Sequence, residues 1–153
     1  MSQYQFEVKS SWSGSWNGQG TVQGDSYEGI TSMPREMEGP GMGMNSEELM
    51  LGAAATCYLV TYSFIADKMK LPIADLSMTT QGQVTAQGGS YDYTKIIHRL
   101  NIALSSEATD AQVRLAETLT SRAEKSCMIA KLMRGNVEIV IEPTVSIIES
   151  ITE

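Results

Sequence analysis

The run from Leu49 to Ala66 contains no charged residue, and no other stretch restricts the fold of this chain so strongly. Asn45 ahead of it is a good helix N-cap. Glu48, three residues later, can reach back in a capping box, and Glu47 and Glu48 suit the positive end of a helix dipole. Pro72 ends the pattern, because the residue before a proline is pushed out of helical conformation. These signals predict a helix from about Ser46 to Lys70. The run approaches the length of a membrane span. However, Gly52, Ala53, Ala54, Ala55, Thr56, Thr61 and Ser63 make it only weakly apolar, and no positive-inside bias flanks it. The expectation is a helix buried on all sides in a soluble core, with no membrane contact.

Before this helix the chain reads as strands. Tyr4, Phe6, Val8 and Trp12 alternate with Gln5, Glu7, Lys9 and Ser11, which predicts a half-buried strand. Gly14, Gly18, Gly20, Gly24 and Gly29 then separate short segments such as Thr21 to Gln23 and Tyr27 to Met33, as in a small antiparallel meander. Met33 to Met44 is rich in Gly, Pro and Met and reads as a loop.

After the helix, Leu76, Met78, Val84 and Ala86 mark a long strand ending at a Gly88-Gly89 hairpin. Ile96, His98, Leu100, Ile102 and Leu104 occupy one face of the next strand. Asp110 to Ser126 has an amphipathic helical period through Val113, Ala116, Leu119 and Ala123. A short helix over Cys127 to Met133 follows, stopped by Gly135-Asn136. Val137, Ile139 and Ile141 form a final strand before Pro143, with room for another at Val145 to Ile148. The order reads as α+β, with antiparallel sheets around a long buried helix and one domain over residues 1–153.

The net charge of −7, with no Lys/Arg cluster, opposes a phosphate-binding surface, so no nucleic-acid partner is expected. Met1 to Glu7 has no secretory pattern, which predicts a cytoplasmic protein. In that compartment two cysteines fit a transient, functional disulfide better than a structural staple; two unrelated buried thiols are the competing reading. The single histidine, His98, falls on an apolar strand face and is expected to be a hydrogen-bonded core residue. No close-spaced Cys/His pairs form a metal motif, and no cofactor is expected. The ten methionines fit either an apolar pocket for an alkyl chain or simple filler.

A reactive Cys57 needs its pKa lowered, because the thiolate is the nucleophile. It lies about three turns into its helix, where the dipole has faded, so a cation from elsewhere is required. Arg35, in the loop before the helix, is the candidate; a solvated loop arginine is the alternative.

Asn45-Ser46-Glu47-Glu48-Leu49 with Gly52-Ala53-Ala54 and Cys57, then Ala123-Glu124-Lys125-Ser126-Cys127 and Gly135-Asn136, resembles the OsmC/Ohr family of osmotically inducible and organic hydroperoxide resistance proteins. The similarity covers most of the chain, including the Trp12-Ser13-Gly14 and Gly18-Gln19-Gly20 turns. The resemblance implies an intertwined homodimer and thiol-dependent reduction of organic hydroperoxides. It makes Cys57 the peroxidatic cysteine and Cys127 the resolving one. Arg35 and Glu47 would hold the thiolate and polarise the peroxide, and an external dithiol, typically a lipoylated protein, would be the reductant. Ser46 stands where the family often has proline, and Met128-Ile129-Ala130 replaces Pro-Val-Ser. The loop before Glu47 is also longer, which makes Arg99 the fallback cation.

Glu47 and Cys57 are ten positions apart, about 15 Å along one helix, too far for one side chain to span. The glutamate near a given Cys57 is therefore expected from a second subunit. The rival readings are a redox sensor or small-ligand-binding protein with little turnover, and a structural dimer with incidental thiols.

Overall fold

The computed structural model describes residues 1–148. The chain forms two compact units, Met1–Met50 and Leu51–Glu153, and the boundary falls within the long helix.

The first unit is a three-stranded antiparallel meander of β1 (Lys9–Ser13), β2 (Gln19–Gln23) and β3 (Glu28–Ser32). Gly14 adopts φ +90° in the first turn, which the Trp12 indole closes by donating to the Ser15 carbonyl at 2.9 Å. The strand expected to begin at Tyr4 begins instead at Lys9. Tyr4, Phe6 and Val8 are exposed, because Lys9 already pairs with Gln23, the last residue of β2. Alternation without a partner strand makes no sheet.

The loop after β3 contains a single 3-10 turn, Arg35–Met37, and is tied back onto β3 by bonds from Met44 N–H to the Ile30 carbonyl and from Ser32 N–H to the Met44 carbonyl. Asn45 caps helix α1 (Ser46–Lys68) as predicted, with its Oδ1 accepting Glu48 N–H at 2.8 Å.

In the second unit, β4 (Ile73–Gln87) and β5 (Ser90–Leu104) form a long hairpin. Its two central residues, Gly88 and Gly89, have φ +60° and +82°, the combination a tight primed turn needs. All five residues assigned to the inner face of β5, Ile96 through Leu104, are buried. Helix α2 (Asp110–Ser126) matches its predicted span and starts on a capping box between Thr109 and Gln112. Helix α3 (Met128–Met133) leads through Gly135, φ +89°, into β6 (Glu138–Ile147).

β6 departs from the antiparallel expectation and runs parallel to β5, because α2 and α3 carry the chain across to re-enter the sheet in the same direction. The register is marked by ion pairs Lys95–Glu138 at 3.0 Å and Arg99–Glu142 at 2.9 Å. The two strands proposed around Pro143 are one. A proline can sit within β6 because this strand lies at the sheet edge.

Helix α1 also differs from expectation. Ala54, Tyr58, Tyr62, Ile65 and Ala66 are buried, but Val60 is 65% and Phe64 63% exposed, so only one face of this apolar helix is covered in a single chain. By length and composition alone α1 could cross a membrane, as could many soluble core helices. Its buried face packs with Leu100, Ile102 and Leu104 of β5 and Ala116, Leu119 and Ala123 of α2 in one core.

Candidate active site

Two tyrosines set the rotation of α1. Tyr58 donates its hydroxyl to the Thr120 carbonyl at 3.2 Å, and Tyr62 donates to Ala116 at 3.0 Å, fixing α1 against α2. Cys57, adjacent to Tyr58, is thereby turned toward the end of α2. Cys127 stands at the junction of two helices: its N–H bonds the Ala123 carbonyl at 2.8 Å, and its own carbonyl accepts Lys131 N–H at 3.0 Å. Both cysteines are free thiols, and their Sγ atoms are 3.1 Å apart, with Cys127 donating to Cys57. Cys57 is partly exposed and Cys127 is buried.

The two thiols are electrostatically unequal. Burial pushes Cys57 up, but this is outweighed by donors around its sulfur, the Ile129 N–H first and then the Cys127 thiol and the Met128 N–H, leaving its pKa below that of an ordinary thiol; the Thr61 hydroxyl beside them donates to the Cys57 carbonyl at 2.8 Å. Cys127 is raised, chiefly by burial and further by its bond and proximity to Cys57. A cation was expected to perform this task; the donors beside Cys57 among the described residues are the α3 backbone and the Cys127 thiol. Sequence reading missed these donors because a peptide N–H belongs to nearly every residue type. The one visible signal was the replacement of proline by Met128, since proline would have no N–H to give.

Arg35 and Glu47 both lie in the first unit. Arg35 is exposed in the 3-10 turn, and its stem lies against Gly41, whose φ of +60° and missing Cβ leave the room; a Cβ there would collide with the Arg35 Cγ. Ser32 is buried and stabilises the same loop, accepting Met42 N–H on its hydroxyl at 2.7 Å. Glu47 is partly buried in the first turn of α1. Its Oε1 accepts the Ser46 hydroxyl at 3.1 Å, and its buried Oε2 has no hydrogen-bond partner among the described residues. No ion pair joins Arg35 to Glu47 among the described residues. The fallback Arg99 is occupied by Glu142 and by Gln81 at 3.0 Å.

His98 is a core residue, as expected. It is buried, its Nδ1 is 2.8 Å from the Thr80 hydroxyl, and its ring stacks on Tyr58 at 5.2 Å. A cavity of about 470 Å3 opens in the first unit beside Trp12, Val22, Met33 and Leu49. It is lined by none of Cys57, Cys127, Arg35 and Glu47, and Met33 is the methionine in its wall.

Comparisons with known proteins agree on the ancestry of this arrangement. A family profile described as OsmC-like protein matches residues 39–142. The uncharacterized protein YmaD of Bacillus subtilis (strain 168) is 40% identical over 147 residues, covering 96% of this chain and 98% of its own. Among solved structures, an organic hydroperoxide resistance protein OsmC from Legionella pneumophila superposes with a TM-score of 0.76 at 23% identity, over 95% of this chain and 100% of that one. The organic hydroperoxide resistance protein OhrB of Bacillus subtilis superposes with a TM-score of 0.67 at 21% identity, over 91% and 98% of the two chains. The paired cysteines therefore sit in a known fold, and this chain belongs to the OsmC-like protein family.

Proposed function

We propose that this protein is a thiol-dependent peroxidase that reduces organic hydroperoxides to alcohols. The observation that carries the reading is the 3.1 Å approach of two free thiols of opposite character, Cys57 favouring its thiolate and Cys127 its protonated form. The Cys57 thiolate attacks the peroxide oxygen remote from the alkyl group, the O–O bond breaks, and the alkoxide leaves as alcohol after taking a proton. Cys57 becomes a sulfenic acid. Cys127 then condenses with it, forming the disulfide and releasing water. An external dithiol, in our reading a lipoylated protein in the cytoplasm, restores both thiols.

Arg35 and Glu47 complete the site in this proposal by binding and polarising the peroxide. The buried Glu47 Oε2, without a partner among the described residues, favours a donor from a second chain, and the open apolar face of α1 favours a second copy as its source. We therefore assign a homodimer with paired sites. Val60→Glu should convert it to monomer in sedimentation velocity runs, and a wild-type monomer with full activity would exclude this assembly.

The decisive experiment treats the reduced protein with one equivalent of cumene hydroperoxide and reads the product by mass spectrometry. A Cys57–Cys127 disulfide is expected, followed by steady turnover on adding dihydrolipoamide. Cys57→Ser should abolish peroxide consumption, and Cys127→Ser should leave a sulfenic acid that dimedone traps at Cys57. A disulfide without turnover would make the protein a redox sensor, and two unchanged cysteines would defeat the peroxidase reading.

A further inference from the structure

We propose that the outer face of α3, together with the end of α2, is the docking surface for the protein reductant, and that this partner presents an acidic surface around its dithiol. The inference rests on the peroxidase reading and names the chemistry of its second substrate.

Helix α3 points two ways. It starts directly after Cys127, whose thiol is 3.1 Å from that of Cys57, its first peptide N–H groups, at Met128 and Ile129, favour the Cys57 thiolate, and Ala130 and Met133 are buried. The Met128 and Leu132 side chains, one turn apart, are 67% and 75% exposed. Two large apolar side chains are therefore uncovered within a single chain, on the helix that directly borders the cysteine pair. A protein seated on them sits beside the disulfide it must reduce.

The charge of the segment that carries these side chains runs against that of the whole molecule. Residues 122–134 contain four cations, Arg122, Lys125, Lys131 and Arg134, against one carboxylate, Glu124, in a chain of net charge −7. Arg134 pairs with Glu124 at 3.1 Å and neutralises it. The remaining cations are exposed. Exposed apolar side chains on a basic segment fit an acidic protein, while the negative remainder repels such a partner from unproductive approaches.

Once docked, a thiolate of the partner attacks one sulfur of the Cys57–Cys127 disulfide. A mixed disulfide forms and the other cysteine leaves as a thiolate that takes up a proton. The partner's second thiolate attacks the mixed disulfide and releases the remaining cysteine. Two electrons and two protons pass to the protein, and the partner departs as a disulfide.

The test compares dithiothreitol with a reduced, acidic lipoyl domain as reductants in steady-state hydroperoxide turnover. For Lys125→Glu/Lys131→Glu we expect KM for the lipoyl domain to rise about tenfold while turnover with dithiothreitol is unchanged, and wild-type KM for the domain alone to rise with salt. Equal effects on both reductants, or on neither, would overturn the proposal. So would a wild-type protein that accepts dithiothreitol but not the acidic domain. Leu132→Ser should leave sedimentation unchanged, and loss of an oligomer would mean that a second copy covers this face. Failure of wild type with dithiothreitol as well would instead refute the peroxidase reading on which the proposal stands.

Discussion

The hydroxyl of Tyr58 donates to the carbonyl oxygen of Thr120 while its ring lies against His98, so one side chain joins α1 to both α2 and β5. Tyr58→Phe keeps the ring and removes the bond, and it should cost about 1 kcal/mol of stability. Tyr58→Ala, which empties the space, should cost about 3–5 kcal/mol. Urea denaturation with matched m-values measures both, and a Phe variant as stable as wild type would show that the hydroxyl contributes nothing.

Thiolate stabilisation at Cys57 has a direct readout in alkylation by iodoacetamide. Its rate should rise with pH through a midpoint lower than that of the same cysteine in the unfolded chain, because the donors around Cys57 favour the ionised form. Cys127→Ala removes one donor and should move the midpoint up. An unchanged midpoint would assign the whole effect to other groups, the α3 backbone first.

Burial lowers the pKa of His98, so the unfolded chain takes up a proton at a higher pH than the native one. The stabilising contribution is present above the unfolded value of about 6.5 and is lost as pH falls through the lower native value. Native stability should therefore decline on acidification from pH 7 toward about pH 5. His98→Gln should decline less over the same interval, as read from urea midpoints. Parallel curves for the two proteins would refute the linkage.

Gly41 gives Arg35 its resting place in the loop. Gly41→Ala forces a Cβ into the arginine stem at a left-handed backbone position, and it should reduce kcat/KM for hydroperoxide roughly 10- to 100-fold. Thermal unfolding separates this from collapse of the protein. Full activity in a folded Gly41→Ala variant would argue against Arg35 as the peroxide-binding cation.

Local patterns were legible wherever one face of an element met a core. The period of two from Ile96 to Leu104 and the apolar stripe of α2 appear in the structure as read. α1 was harder, because residues apolar on every side specify a helix without saying which side is covered. The first strand failed for want of a partner, and the direction of β6 depended on a crossover that no single segment encodes. In the site, the two cysteines were legible as side chains, and the structure brings them together. Their inequality was not, since it comes from peptide groups whose aim depends on where α3 begins.

That origin bears on how the protein can change. Met128 and Ile129 act on Cys57 through their main chains, so many residues could replace them provided that a peptide hydrogen remains. No spacer separates α2, Cys127 and α3. A single inserted residue would rotate the following helix by about 100° and carry its donors off the sulfur. Length at this junction is thus under tighter constraint than composition, and deletions or insertions should be purged where substitutions persist.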